Sequence, residues 1–132
     1  MNRIYFAASY SHKAEFFPLY KALKSAGFTV VAPIFDYQSK TNINYKTLMN
    51  HAFNTIGGSN LLVADCSYKE IGIGIEAGYA KAQNIPIFYL QLKGTPLSTT
   101  VYGTCTKHLV YEANNYSLVI QEITKFFLQA PN

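Results

Sequence analysis

The chain carries only seven acidic side chains, and three of them, Asp65, Glu70 and Glu76, fall between positions 65 and 76. The segment reads Asp65-Cys-Ser-Tyr-Lys-Glu70-Ile-Gly72-Ile-Gly74-Ile-Glu76-Ala-Gly78-Tyr79-Ala80. A carboxylate held beside a substrate can act as nucleophile, base or proton donor. Ile73, Ile75, Ala77 and Ala80 surround Glu76 and put it at the border of a buried face. Placed near a helix N-terminus, Glu76 is expected to stay ionised with a lowered pKa. Gly72 and Gly74 allow close backbone approach. They lack the GxGxxG spacing and the lysine of a phosphate cradle, so a dinucleotide site is not indicated.

Other groups that could do chemistry are more dispersed. Ser9 and Ser98 suit turns, caps or a substrate's polar end. Asp65 closes an apolar run and can contact a sugar or shape the loop before Gly72. Tyr10, Phe35 and Tyr37 fall in loops where an aromatic face could stack on a flat heterocycle. His12 and His108 show no metal-ligand spacing. Cys66 and Cys105 are far apart with no CxxC, which excludes a disulfide framework and a cysteine zinc site. No metal or cofactor is called for.

The elements that must position these groups alternate. Apolar strands are expected over 3–8, 28–32, 60–64, 85–90 and 108–111, the last the weakest. Helices are expected over 12–26, stopped by Gly27, over 45–56, closed by Gly57 and Gly58, from about Gly74 to Gln83 with Asn84 as cap, and over 116–128. Residues 34–44 read as a polar loop, and 94–103 as loop or short helix. Strands that are apolar throughout are buried on both faces. With right-handed crossovers, residues 1–132 form one α/β domain: a flavodoxin-like doubly wound sandwich, five-stranded and mainly parallel, with helices on both faces. Ligands in such folds bind beyond the carboxyl ends of the strands, at 8–11, 33–37, 65–74 and 91–98.

Composition narrows the function. Of 132 residues, 49% are apolar and 14% charged, which excludes a disordered chain. The net charge of +4 comes from few acids, and Arg3 is the only arginine. The lysines are scattered, so no nucleic-acid partner is expected. The first ten residues lack a signal-peptide pattern, and no run is long and apolar enough for a membrane. A cytoplasmic location is expected.

The run Glu70-Ile-Gly72-Ile-Gly74-Ile-Glu76-Ala-Gly78-Tyr79-Ala80 resembles the signature of the nucleoside 2-deoxyribosyltransferase family, which includes the 2'-deoxynucleoside 5'-phosphate N-hydrolases. Ile4-Tyr5-Phe6-Ala7 resembles that family's first strand, and Leu97-Ser98 with Gly103 a third segment that completes the neighbouring subunit's pocket. The resemblance covers nearly the whole chain. It implies that Glu76 is a nucleophile toward the anomeric carbon of a nucleoside, oriented by Tyr5, with a covalent glycosyl-enzyme resolved by a second nucleobase or by water. It also implies that Ser9 and Ser98 bind the substrate's 5' end. Glu70 stands where the phosphate-using hydrolases have a serine and the transferases an acid. Because an acid repels a 5'-phosphate, free nucleosides are favoured. Substrate contacts are expected at Ser9, Asp36, Asp65, Glu70, Gly72, Gly74 and Ser98, and a homodimer or higher homo-oligomer is implied.

One departure stands out. The family's aspartate on the helix before the third strand, which helps protonate the leaving base, is replaced here by Ala52. His51 or Asp36 could substitute. Two other possibilities stay open. Ser9-Tyr10-Ser11-His12-Lys13, Phe16, Leu19, Leu23 and Gly27-Phe28 resemble the start of a Toll/interleukin-receptor domain, some members of which cleave NAD with a glutamate. A non-catalytic nucleotide sensor would also account for Ala52.

Overall fold

Each strand needs two apolar faces, and the observed sheet buries both. The computed structural model describes residues 2–36 and 44–129. Within them β1 (Arg3–Ala7), β2 (Thr29–Val31), β3 (Leu61–Asp65), β4 (Ile87–Leu92) and β5 (Lys107–Tyr111) form one sheet in the order β2-β1-β3-β4-β5. Every neighbouring pair is parallel, so the expected mainly parallel sheet is parallel throughout. This is the flavodoxin-like order, with its topological switch between β1 and β3.

Alternation along the strands divides the core. Ile4 and Phe6 of β1, Leu61 and Val63 of β3, and Phe88 and Leu90 of β4 pack with α1 (Lys13–Ser25) and α6 (Ser117–Gln129). Tyr5 and Ala7, Leu62 and Ala64, and Ile87 and Tyr89 face the other way, toward α3 (Tyr45–Gly57), α4 (Ile71–Ala82) and α5 (Thr99–Tyr102). The period of two thus sends Tyr5 to the face that α4 covers. Ala7 and Ala64 are register partners at the carboxyl ends of β1 and β3. Together with Ala52 and Ala77 they line this face with small side chains beside the switch point.

Sequence signals set most boundaries. Gly27 ends the α1 turn with φ +96°, and Asn84 follows α4 with φ 59°, a conformation asparagine tolerates. Asn44 caps α3 by accepting from the Thr47 amide at 3.1 Å.

Three expectations need correction. Helix α4 begins at Ile71 rather than about Gly74, which puts Glu76 in its second turn. Residues Pro33–Asp36, expected as loop, form a short helix α2. Proline suits the first helical position, and the amides of Phe35 and Asp36 both donate to the Ala32 carbonyl, at 2.9 and 2.8 Å. The fourth strand starts at Ile87 and runs to Leu92, two residues beyond the expected register. Pro86 has no amide for the ladder, although its carbonyl accepts from Leu62 N at 2.9 Å. Tyr37 lies outside the described residues.

Candidate active site

Two loops meet at the switch point. The first follows β1 and runs through Ala8 and Ser9 into a 3₁₀ turn at Tyr10–His12. The second follows β3 and runs from Cys66 to Glu70, where α4 begins. Glu76 lies behind this opening, in the second turn of α4, half-buried between Ile73 and Ala77.

Tyr5 and Glu76 are in direct contact. The Tyr5 hydroxyl, almost wholly buried, donates to Glu76 Oε2. Burial pushes the Glu76 carboxyl up to about 7, and the Tyr5 hydrogen bond pulls the other way. This corrects the expected lowering by the helix N-terminus. Glu76 sits past the first turn, where the dipole has fallen off, and desolvation dominates. Burial and the adjacent carboxylate push the Tyr5 hydroxyl well above the usual tyrosine range, so it remains a donor.

Glu70 and Ser9 are brought together across the two loops. Ser9 is fully buried and its hydroxyl donates to Glu70 Oε1 at 2.5 Å. His12 Nδ1 lies 3.0 Å from the same Ser9 oxygen. The His12 ring stacks flat on Tyr68, with centroids 3.6 Å apart and planes 1° off parallel. His12 has no metal-ligand spacing, and nothing in its local sequence announces that the 3₁₀ turn folds it back onto Ser9.

Asp65 is fully buried and fully occupied. Oδ1 accepts from the Ser67 amide at 3.0 Å and the Ser67 hydroxyl at 2.5 Å, and Oδ2 accepts from the Tyr111 hydroxyl at 2.5 Å. Ser67 Oγ in turn accepts from the Leu92 amide at 2.9 Å. Asp65 therefore braces the loop by tying together the ends of β3, β4 and β5. Burial pushes its carboxyl up to about 6, with the Ser67 and Tyr111 bonds opposing. Asp36 is occupied as well: its two oxygens accept from Tyr20 Oη at 2.6 Å and from the Ala32 amide at 2.7 Å.

His51 is exposed on α3, whereas Ala52 beside it is buried against Ile56 and the α4 face. The helix turns Ala52, not His51, toward the Tyr5 side of the sheet. Ser98 precedes α5 and donates its amide to Tyr89 Oη at 2.8 Å. A Cβ added at Gly72 or Gly74 would meet nothing within 4 Å. No protein segment therefore makes the close approach expected there, and the space is open to solvent or ligand. Tyr10 is 56% exposed beside the opening, whereas Phe35 is packed on Tyr20 at 4.7 Å. Burial pushes the Cys66 thiol up to about 12, which makes it a poor nucleophile. Among the described residues no three histidine, cysteine or acidic side chains gather as a metal site, and no helix is long and apolar enough to cross a membrane.

The structure is similar to that of a 2-deoxyribosyltransferase from Bacillus psychrosaccharolyticus, at TM-score 0.71, 13% identity and coverage of 89% of this chain and 90% of that one. The fold is that of the deoxyribosyltransferases. A conserved protein from Enterococcus faecalis V583 gives TM-score 0.78 at 16% identity over 95% of this chain and 98% of that one. A CMP N-glycosidase from Clostridium botulinum gives 0.62 at 15% identity, over 93% and 98%. In sequence, a protein of Syntrophotalea carbinolica named as a 2'-deoxynucleoside 5'-phosphate N-hydrolase is 47% identical over 47 residues. That match spans 34% of this chain and 33% of the relative, about a third of its length. No protein-family model matches. The resemblance to the nucleoside 2-deoxyribosyltransferase family holds in sequence over that segment and in fold over nearly the whole chain.

Proposed function

We infer that this chain cleaves the N-glycosidic bond of 2'-deoxynucleosides and transfers the deoxyribosyl group to another nucleobase. The observation that carries this is the desolvated Tyr5–Glu76 pair behind the opening at the switch point. Once ionised, one Glu76 oxygen attacks the anomeric carbon. The carbon–nitrogen bond breaks, and the base leaves with the bonding pair and takes up a proton. Tyr5 holds the other carboxylate oxygen and fixes the angle of attack. The glycosyl ester is then opened by a ring nitrogen of a second base, which loses a proton, or by water. The ester leaves as the Glu76 carboxylate.

Substrate selection would fall to Ser9, Glu70 and Ser98 at the sugar's 5' end, to the open surface at Gly72 and Gly74, and to Tyr10 against the base. Asp65 and Asp36 would act by shaping the loops. The partners on this reading are a nucleoside or nucleotide and a free nucleobase, met in the cytoplasm by residues 1–132 acting as one domain. A homodimer or higher homo-oligomer goes with it, since Ile71 and Ile75 stand exposed on α4 beside the site, at 84% and 47%.

A second reading, hydrolysis of 2'-deoxynucleoside 5'-monophosphates, is favoured by the match to the Syntrophotalea carbinolica protein. The test is chromatography of products from 2'-deoxynucleosides, their 5'-monophosphates and NAD, each with and without a second free base, beside Glu76→Ala. A new nucleoside formed only with added base supports transfer. Free base from a monophosphate without exchange supports the second reading. A wild-type chain that turns over nothing, or a Glu76→Ala variant as active as wild type, overturns both.

A further inference from the structure

The Ser9 hydroxyl has one hydrogen and two polar neighbours. Glu70, as a carboxylate, only accepts, so the hydrogen that spans the 2.5 Å contact belongs to Ser9. At its contact with His12, 3.0 Å long, Ser9 Oγ must then accept, and His12 Nδ1 must carry a hydrogen. The ring is held for this. It lies flat on Tyr68, whose hydroxyl donates to Glu15 Oε2 at 2.7 Å and whose edge packs against buried Phe16. Ser9 is itself fully buried, so its hydroxyl has little freedom to choose another orientation.

We propose that His12 is a specificity-determining positioning residue: its Nδ1–H directs the Ser9 hydrogen onto Glu70, so that Glu70 is held to accept a hydroxyl proton from the substrate's sugar end and to turn away a phosphate. No other side chain hydrogen-bonds Glu70 among the described residues, so its second oxygen is left to accept from a ligand. A corner that only accepts suits a hydroxyl, which donates. A phosphate presents acceptors and negative charge, and finds no partner there. The proposal deepens the nucleoside reading above and rests on it.

The test compares kcat/KM for a 2'-deoxynucleoside and for the matching 2',5'-dideoxynucleoside, which lacks the hydroxyl, in wild type, His12→Ala and His12→Asn. The expected result is a loss of about tenfold with His12→Ala on the hydroxyl-bearing substrate, carried by KM. The dideoxy analogue should be unaffected, and His12→Asn, which restores an N–H donor, should recover most of the loss. Equal losses on both substrates would show a merely structural role and overturn the proposal, as would no loss on either. In parallel, nitrogen-15 NMR of the wild-type imidazole is expected to show a hydrogen on Nδ1; a hydrogen only on Nε2 overturns the proposal without reference to activity. If wild type turns over neither substrate, the nucleoside reading falls and this proposal with it. That outcome is distinct from an active wild type that is insensitive to His12.

Discussion

The hydroxyl of Tyr5, in the middle of β1, donates to Oε2 of Glu76, in the second turn of α4. The bond joins an inner strand of the sheet to the helix that begins at the switch point. It also opposes the desolvation that raises the Glu76 carboxyl. The same pair sets both the geometry and the protonation state of the proposed nucleophile.

The first prediction follows from that protonation state. Glu76 attacks only when ionised, and burial holds its carboxyl at about 7. kcat/KM should therefore rise with pH through about 7 and level off above it. Tyr5→Phe removes the bond that keeps the carboxyl down, so the rise should move to higher pH and the plateau should fall by about ten- to a hundredfold. A pH–rate profile of both proteins checks this; a wild-type profile flat through 7 would contradict it.

The same burial has a cost in stability. A carboxyl raised in the folded state contributes stability that is fully present below its unfolded value, near 4.5, and is lost as pH rises through about 7. Glu76→Gln keeps the shape without the charge. It should raise Tm at pH 8, by a few degrees, and change it much less at pH 4. Calorimetry at the two pH values decides this.

Asp65 gives a related prediction with a different partner. Its carboxyl is raised from 3.8 to about 6 even with Ser67 and Tyr111 donating to it. Tyr111→Phe leaves that buried carboxylate one donor short. The variant should lose about 2 kcal/mol above pH 6 and less near pH 4, where the group is protonated and needs fewer donors. Urea unfolding at both pH values measures it, and an equal loss at both would argue for packing alone.

Glu70 should decide the charge of the accepted substrate. Replacing it with serine removes a negative charge from the opening and supplies a hydroxyl that can donate. Glu70→Ser should shift the ratio of kcat/KM for the 5'-monophosphate over the nucleoside upward by about tenfold or more. An unchanged ratio would place the phosphate elsewhere.

His51→Ala should leave the rate within about twofold of wild type, since the ring is exposed on α3 and its neighbour Ala52 takes the inward position. Steady-state turnover checks it, and a loss of about a hundredfold would restore His51 as the proton donor.

Local pattern makes the sheet and the importance of Glu76 legible, and the family resemblance adds its pairing with Tyr5. Apolar runs gave the strands, and the glycine-spaced acidic segment drew attention to Glu76 before any geometry was available. The roles of Asp36 and Asp65 were not legible, because their donors Tyr20 and Tyr111 come from other elements. Periodicity says which face a side chain takes, but not which distant hydroxyl it will meet. The helix at Pro33–Asp36 escaped for a similar reason. It is a single turn held by bonds to Ala32, too short to show a repeat. The raised Glu76 carboxyl is not legible from helix position, because it depends on the burial that the second turn acquires in the fold.

The Asp65 brace also ties the opening to the far edge of the sheet. Tyr111 belongs to β5, the edge strand and the last in sequence, and the loop bearing Glu70 is tied through Asp65 and Ser67 to that strand. During refolding, the opening at β1 and β3 would take its final shape only when the far edge of the sheet has docked. Recovery of activity should then keep pace with hydrogen-exchange protection of β5, rather than with that of the central strands on which the opening sits.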